Sequence, residues 1–232
     1  MRRFLPLFLV SALLLSSPGA AQERGPRRAP QLANPSAIIA REIAFAQAAQ
    51  EKGQWSAFAA FSAPDAIMFV PEMVLAQRWL KGRANPASAI KWQPTAVWSS
   101  CDGSLAVSHG LWQGDDGKHG WFTTIWQRQS DGSYRWVLDH GDTLASKAES
   151  ASDMLPGLVA HCPERKRVEP TAATAPKVSE AAFDPLARSG RSRDGSLDWS
   201  VTVSPAGERR LVVSWQKDGS RQVIRDETLR TP

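Results

Sequence analysis

The sequence is poor in the residues that usually announce a reaction. Its 232 residues include two cysteines, one tyrosine and four histidines. His109, His119, His140 and His161 fall in no HxH or HExxH spacing, so no metal site is expected. There is no Gly-rich phosphate loop and no nucleophile elbow to give a Ser–His–Asp combination its context. No cofactor is therefore expected. After the first apolar run, no stretch approaches the roughly 20 apolar residues that a spanning helix needs. A bias of charge is missing as well. The formal net charge of +5 sits mostly near the start, on Arg2, Arg3, Arg24, Arg27 and Arg28 against Glu23. Between residues 36 and 147 ten basic and ten acidic residues cancel, and from 148 on thirteen face twelve. A chain without a basic stripe does not select phosphate backbones, which excludes nucleic acid as a partner.

What is present begins with an export signal. Arg2 and Arg3 precede the apolar segment 4–15, and Gly19, Ala20 and Ala21 supply small residues before a cut near Ala21. The expected location is periplasmic or secreted, with no membrane span once the signal is cleaved. Residues 22–33 are rich in Pro and Arg and read as disordered. Export allows a disulfide between Cys101 and Cys162, which would tie the chain leaving the main sheet to its entry. Two unpaired thiols are the other reading.

Asn34-Pro35 reads as a helix start, with Asn as cap and Pro in the first turn. Ile38, Ile39, Ile43, Phe45, Ala46 and Ala49 then recur at helical spacing up to Gly53. A second helix covers 54–61, with Trp55, Phe58 and Phe61 on neighbouring turns. A short strand comes next at 66–70, then a part-strand, part-helix segment at 73–81. A helical turn is expected near 87–91 and another strand at 95–100. The stretch 104–142 carries three tryptophan-rich segments, 104–112, 119–129 and 134–141, separated by QGDDGK and Asp131-Gly132. Asp-Gly between β-prone runs is a hairpin signal, so this is a three-stranded antiparallel meander. Residues 146–195 read as a linker. Within 196–232, three further alternating segments form a second meander. Asp-Gly-Ser opens a strand four times, at 102, 131, 194 and 218, as repeated turn chemistry.

The turns suggest a register. Pairing Trp112 with His119, and Ser130 with Ser133, sets Val107 across from Thr124 and Thr124 across from Asp139. One face then carries Val107, His109, Leu111, Phe122, Thr124, Trp126, Val137 and Asp139. The other carries Ser108, Trp112, Trp121, Thr123, Ile125, Trp136, Leu138 and His140. Both faces are apolar and both need cover, one from the helices and one from the C-terminal meander or a second subunit. A bulge would exchange the faces within a strand.

Glu42–Phe45 with Phe58 and Phe61, the segments DAIMFVP (65–71), WQP (92–94), DGSLAVSHGLW (102–112), FTTIWQRQ (122–129) and DGSYRWVLD (131–139) carry a resemblance. Together, over 36–145, they resemble the NTF2-like (SnoaL-like) superfamily, in its exported bacterial branch of the DUF4440 type. The resemblance implies an α+β fold: an NTF2-like cone at 34–145, with N-terminal helices packed on a strongly bent antiparallel sheet. The C-terminal antiparallel β-meander is an addition. The cone implies a pocket for a small apolar ligand, into which the position of Thr124 points. The pocket residues it implies are Phe58, Phe69, Trp92, Val107, His109, Phe122, Thr124, Trp126 and Asp139. His109 and Asp139 are the catalytic candidates; Asp65 and Glu72 are lesser ones. The tyrosine-plus-aspartate pair of the superfamily's ketosteroid isomerases cannot be placed, since the sole tyrosine, Tyr134, lies beside a turn. Three functions stay open: ligand binding without catalysis, an isomerase, dehydratase or hydrolase using His109 and Asp139, and an envelope interaction module. A homodimer is open too.

Overall fold

A computed structural model describes residues 32–146, 154–162 and 183–230. The expectations for the export signal, for 22–31 and for most of the linker lie outside these residues. Helix α1 spans Pro35–Lys52. Asn34 caps it, its side chain accepting from the Ala37 amide at 3.3 Å, and Pro35 occupies the first turn, where no amide is needed. Its buried stripe is Ile38, Glu42, Phe45 and Ala49. Gly53, at φ +94°, ends α1 and hands directly to α2, Gln54–Phe61. Asn85 locks this joint: its side chain accepts from the Ser56 amide and donates to the Ser56 hydroxyl.

The strands come in the order β1 (Ser62–Phe69), β2 (Met73–Leu75), β3 (Lys91–Ser99), β4 (Leu105–Gln113), β5 (His119–Arg128), β6 (Tyr134–Thr143) and β7 (Gly157–Val159). A short helix α3 (Ala76–Leu80) comes between β2 and β3. They form one sheet in the order β2-β1-β6-β5-β4-β3-β7. It is mixed rather than antiparallel, because β1 lies parallel to β6 and β7 parallel to β3. The helical turn expected near 87–91 is not formed. Lys91 already starts β3, and Ile90 spends its amide on the Gln54 side chain.

The C-terminal unit has four strands, not three: β8 (Ala187–Arg191), β9 (Leu197–Val203), β10 (Glu208–Lys217) and β11 (Ser220–Arg230), in the order β11-β10-β9-β8. β8 lies in the segment read as linker. Its sequence, ARSGR, has no apolar alternation. Backbone pairing to β9 and an ion pair from Arg188 to Asp65 at 2.7 Å hold it. The apolar residues of this sheet, among them Leu197, Val201, Leu211 and Val213, join the core of the large sheet in one continuous cluster.

Two turns of like sequence meet at the junction of the sheets, SCDGSL (100–105) and SRDGSL (192–197). In each, the aspartate accepts from the amide and hydroxyl of the serine two residues on. In each, the first serine also accepts from the leucine amide. The turns then bond to each other reciprocally. The Cys101 amide donates to Ser196 Oγ and the Arg193 amide to Ser104 Oγ, both at 2.9 Å. Beside this pair, Cys101 and Cys162 form a disulfide. No helix among the described residues is long and apolar enough to cross a membrane.

Candidate functional site

The register decides what faces the helices. β4 and β5 pair Ser108 with Thr124 and Gln113 with His119, one residue away from the expected alignment. Side chains alternate along a strand, so this single step turns Val107, His109 and Leu111 away from the helices. It turns Ser108 and Trp112 toward them. Thr124 does lie across from Asp139, and a bulge after Ile125 brings Trp136 opposite Trp126. Trp136 therefore faces the helices, its ring 5.9 Å from that of Phe58.

Helix α1 is docked on this inner face by Glu42, which is fully buried. One carboxylate oxygen accepts from Trp92 Nε1 at 2.9 Å. The other accepts from Ser108 Oγ at 2.5 Å and Trp126 Nε1 at 3.0 Å. Burial pushes the Glu42 carboxyl above the usual range, while the three donors pull it back. Trp126 is fully buried in this contact. Phe45, one turn on, packs its ring within 4.9–5.0 Å of those of Phe58, Phe61 and Trp92.

Beyond these contacts the helices and sheet part around a cavity of about 280 Å³. Rings of Phe45, Trp55, Phe58, Trp92, Trp112 and Phe122 line it. Two glycines let the sheet present rings there. A Cβ on Gly120 would come within 2.4 Å of the Trp112 ring, and one on Gly110 within 2.6 Å of the Phe122 ring. Each ring thus lies flat over a bare stretch of the next strand.

Asp139 is one of the two acids that line the cavity from β6. It is half-buried, and Thr124 donates to its Oδ2 at 2.9 Å. Burial raises its pKa to about 7; the Thr124 hydrogen bond opposes this and the charge of Glu42 adds to it. Near neutral pH the group is thus divided between acid and carboxylate.

On the opposite face of the sheet, under the C-terminal unit, lies a second polar cluster, whose His140 also borders the cavity. His109 Nδ1 is 3.0 Å from Thr123 Oγ1, whose hydroxyl donates to Glu227 Oε1 of β11 at 2.8 Å. Arg225 Nε also donates to Glu227 at 2.6 Å. His140 is buried with Nε2 3.5 Å from Glu227 Oε2. Burial lowers the pKa of His109 to about 4 and that of His140 to about 3, aided by the charges of Arg225 and, at His140, Arg209. Both imidazoles are neutral at pH 7.

Of the residues expected to share a pocket, the structure brings six to the cavity: Phe58, Phe69, Trp92, Phe122, Thr124 and Asp139. It leaves out three. Val107 and His109 sit behind the sheet because of the register step, and Trp126 is sealed by Glu42 and Ser108. His109 and Asp139 are therefore not partners in one site. Asp65 is taken by Arg188, and Tyr134 donates to the Gly103 carbonyl at 2.5 Å. The residue that sequence reasoning passed over is Glu42. Its signal was there: a lone acid at the centre of an otherwise apolar helical stripe. Among the described residues no group of three or more His, Cys, Asp or Glu side chains is placed to hold a metal.

No family model matches the chain, and no curated protein does. Among solved structures, it is similar to a provisionally named ketosteroid isomerase from Parabacteroides distasonis. Identity is 17% and the TM-score 0.40, over 50% of this chain and 98% of that one. A provisionally named aromatic ring hydroxylase from Novosphingobium aromaticivorans is 16% identical, with a TM-score of 0.35, over 48% and 90%. Another provisionally named ketosteroid isomerase, from Shewanella frigidimarina, is 15% identical, with a TM-score of 0.30, over 47% and 95%. These neighbours include ketosteroid isomerase-like proteins of the NTF2-like superfamily.

Proposed function

We propose that this chain is an exported NTF2-like protein that binds a small, largely apolar molecule between its helices and its curved sheet. The observation that carries the reading is the cavity, walled by eight phenylalanine and tryptophan rings around Asp139 and Thr124. An apolar hollow with a few convergent polar groups is the usual form of a ligand site. Its volume of about 280 Å³ lies just below the range of such sites, about 300–1,000 Å³. The disulfide fits an oxidising compartment and so supports export. Protein purified gently from the periplasm should carry an apolar molecule detectable by native mass spectrometry, and hydrophobic ligands should quench tryptophan fluorescence. A clean apo mass together with no quenching by any hydrophobic ligand would overturn the proposal.

A second reading, proton transfer on an apolar substrate, is favoured by the raised pKa of Asp139. It requires Asp139 to act without His109, which lies behind the sheet. Activity surviving intact in Asp139→Asn would remove it.

A further inference from the structure

The lining of the cavity has a sign as well as a polarity. Its acids are Asp139 within the wall and Asp142 nearby at the end of β6. Neither lysine nor arginine is among its lining residues. The one imidazole among them, His140, is held neutral by burial and by the charges of Arg209 and Arg225. Helix α2 contributes Gln54, Trp55 and Phe58, and β1 contributes Met68 and Phe69, with no charged side chain from either. Glu42 of α1 is near enough for its charge to act on Asp139, and it too is acidic. Among the described residues the charged side chains that line the cavity are thus acids, and the cation beside it, Arg209, is engaged with the Phe69 ring at 4.7 Å and the Gly141 carbonyl.

The rings add to the same preference. The face of an aromatic ring is the negative pole of its quadrupole, and indole is the strongest of the three types. Four tryptophans, Trp55, Trp92, Trp112 and Trp121, line the cavity, together with four phenylalanines. Thr124 bonds to Oδ2 of Asp139, and among the described residues no donor engages Oδ1. A neutral hydrocarbon would fill this volume and leave a desolvated carboxylate with one hydroxyl as its donor, which is costly. A positive ligand satisfies the carboxylate and the rings together.

We infer that the cavity selects a lipophilic organic cation, an amine or quaternary ammonium group on a small apolar or aromatic body. The inference rests on the reading of the cavity as a ligand site. It assigns Asp139 as the counter-ion and the tryptophan faces as the walls of the cationic group. It also fixes the sign of the pH dependence. A permanent cation gains affinity as Asp139 ionises, so binding strengthens as pH rises through about 7. A neutral carbonyl compound accepting a hydrogen bond from the protonated acid would show the opposite trend.

The test compares benzyltrimethylammonium with its uncharged isostere, neopentylbenzene, by tryptophan quenching of the purified full chain at pH 6 and pH 8. The cation should bind at least about tenfold tighter at pH 8, and its advantage should shrink at pH 6. In Asp139→Asn, with folding checked by circular dichroism, the advantage should fall severalfold at pH 8 and lose its pH dependence. Equal or tighter binding of neopentylbenzene at pH 8, or a cation affinity that weakens with rising pH, overturns the inference and leaves the ligand-site reading standing. Binding of neither probe, nor of any other hydrophobic ligand, overturns both.

Discussion

Asp139 and His109 show how much one residue's surroundings depend on which side of a sheet it occupies. Both lie in the most tryptophan-rich part of the chain, and both are flanked by apolar neighbours. Asp139 meets a cavity and one hydroxyl; His109 meets the Thr123–Glu227–Arg225 network under the second sheet. The raised pKa of Asp139 has a consequence for stability. Its folded-state value of about 7 lies above the ordinary carboxylate value of 3.8. The favourable contribution is thus complete below about pH 3.8 and is lost as pH rises through 7. Asn mimics the protonated form at every pH. Asp139→Asn should therefore gain on wild type between pH 5 and pH 8.5, by several degrees and of order 1–3 kcal/mol. Thermal melts at the two pH values check this; equal shifts at both would show that Asp139 is not strained by ionisation.

At the scale of elements, the helices were legible and one hairpin was misaligned. α1 and α2 were bounded by Asn34-Pro35, by Gly53 and by the Phe58/Phe61 spacing, signals that are local and chemically unambiguous. The β4–β5 alignment was not, because both faces of these strands are apolar. Hydrophobicity then gives no preference between two registers that differ by one residue. The turn settled it: the Gly114 amide bonds the Lys118 carbonyl at 2.8 Å, and Asp116 accepts from the Lys118 amide. That leaves a loop of 114–118 and pairs Gln113 with His119. The edge strands β7 and β8 were invisible because backbone pairing, not side-chain alternation, makes them strands. By contrast, the repeated Asp-Gly-Ser turns were legible as chemistry, and two of them also bind each other. Ser104→Ala and Ser196→Ala each remove an acceptor that the opposite turn uses, as well as a bond within its own turn. Each should cost about 1 kcal/mol, and their effects should be non-additive because the bonds share one junction. Chemical denaturation of the two single variants and the double variant measures this. Strict additivity would mean that the turns do not act as a pair.

For the molecule as a whole, the C-terminal sheet covers the face to which the register step moved Val107 and His109, beside Ile125 and Leu138. One apolar cluster runs through both sheets, so neither apolar face is left to water. The attachment has three fastenings near one end: the paired turns, the Cys101–Cys162 bond, and the His161 amide bonded to the Gln216 carbonyl at 2.9 Å. The disulfide joins residues 61 apart in sequence and ties down the chain just after β7, the edge strand beside β3. The cavity lies apart from these fastenings, between α1, α2 and the inner face. Loss of the crosslink should therefore loosen one part of the protein and spare another. The unreduced protein should show no free thiol on alkylation of these cysteines. The variant with both Cys101 and Cys162 replaced by serine should lose about 2–4 kcal/mol of stability. Hydrogen exchange should quicken in β7 and at the turns of 100–105 and 192–197, while amides of α1, α2 and the centre of β5 keep their protection. Uniform deprotection of the helices and the junction alike would mean that the C-terminal sheet and the cavity-bearing unit unfold as one body, with no separable fastening between them.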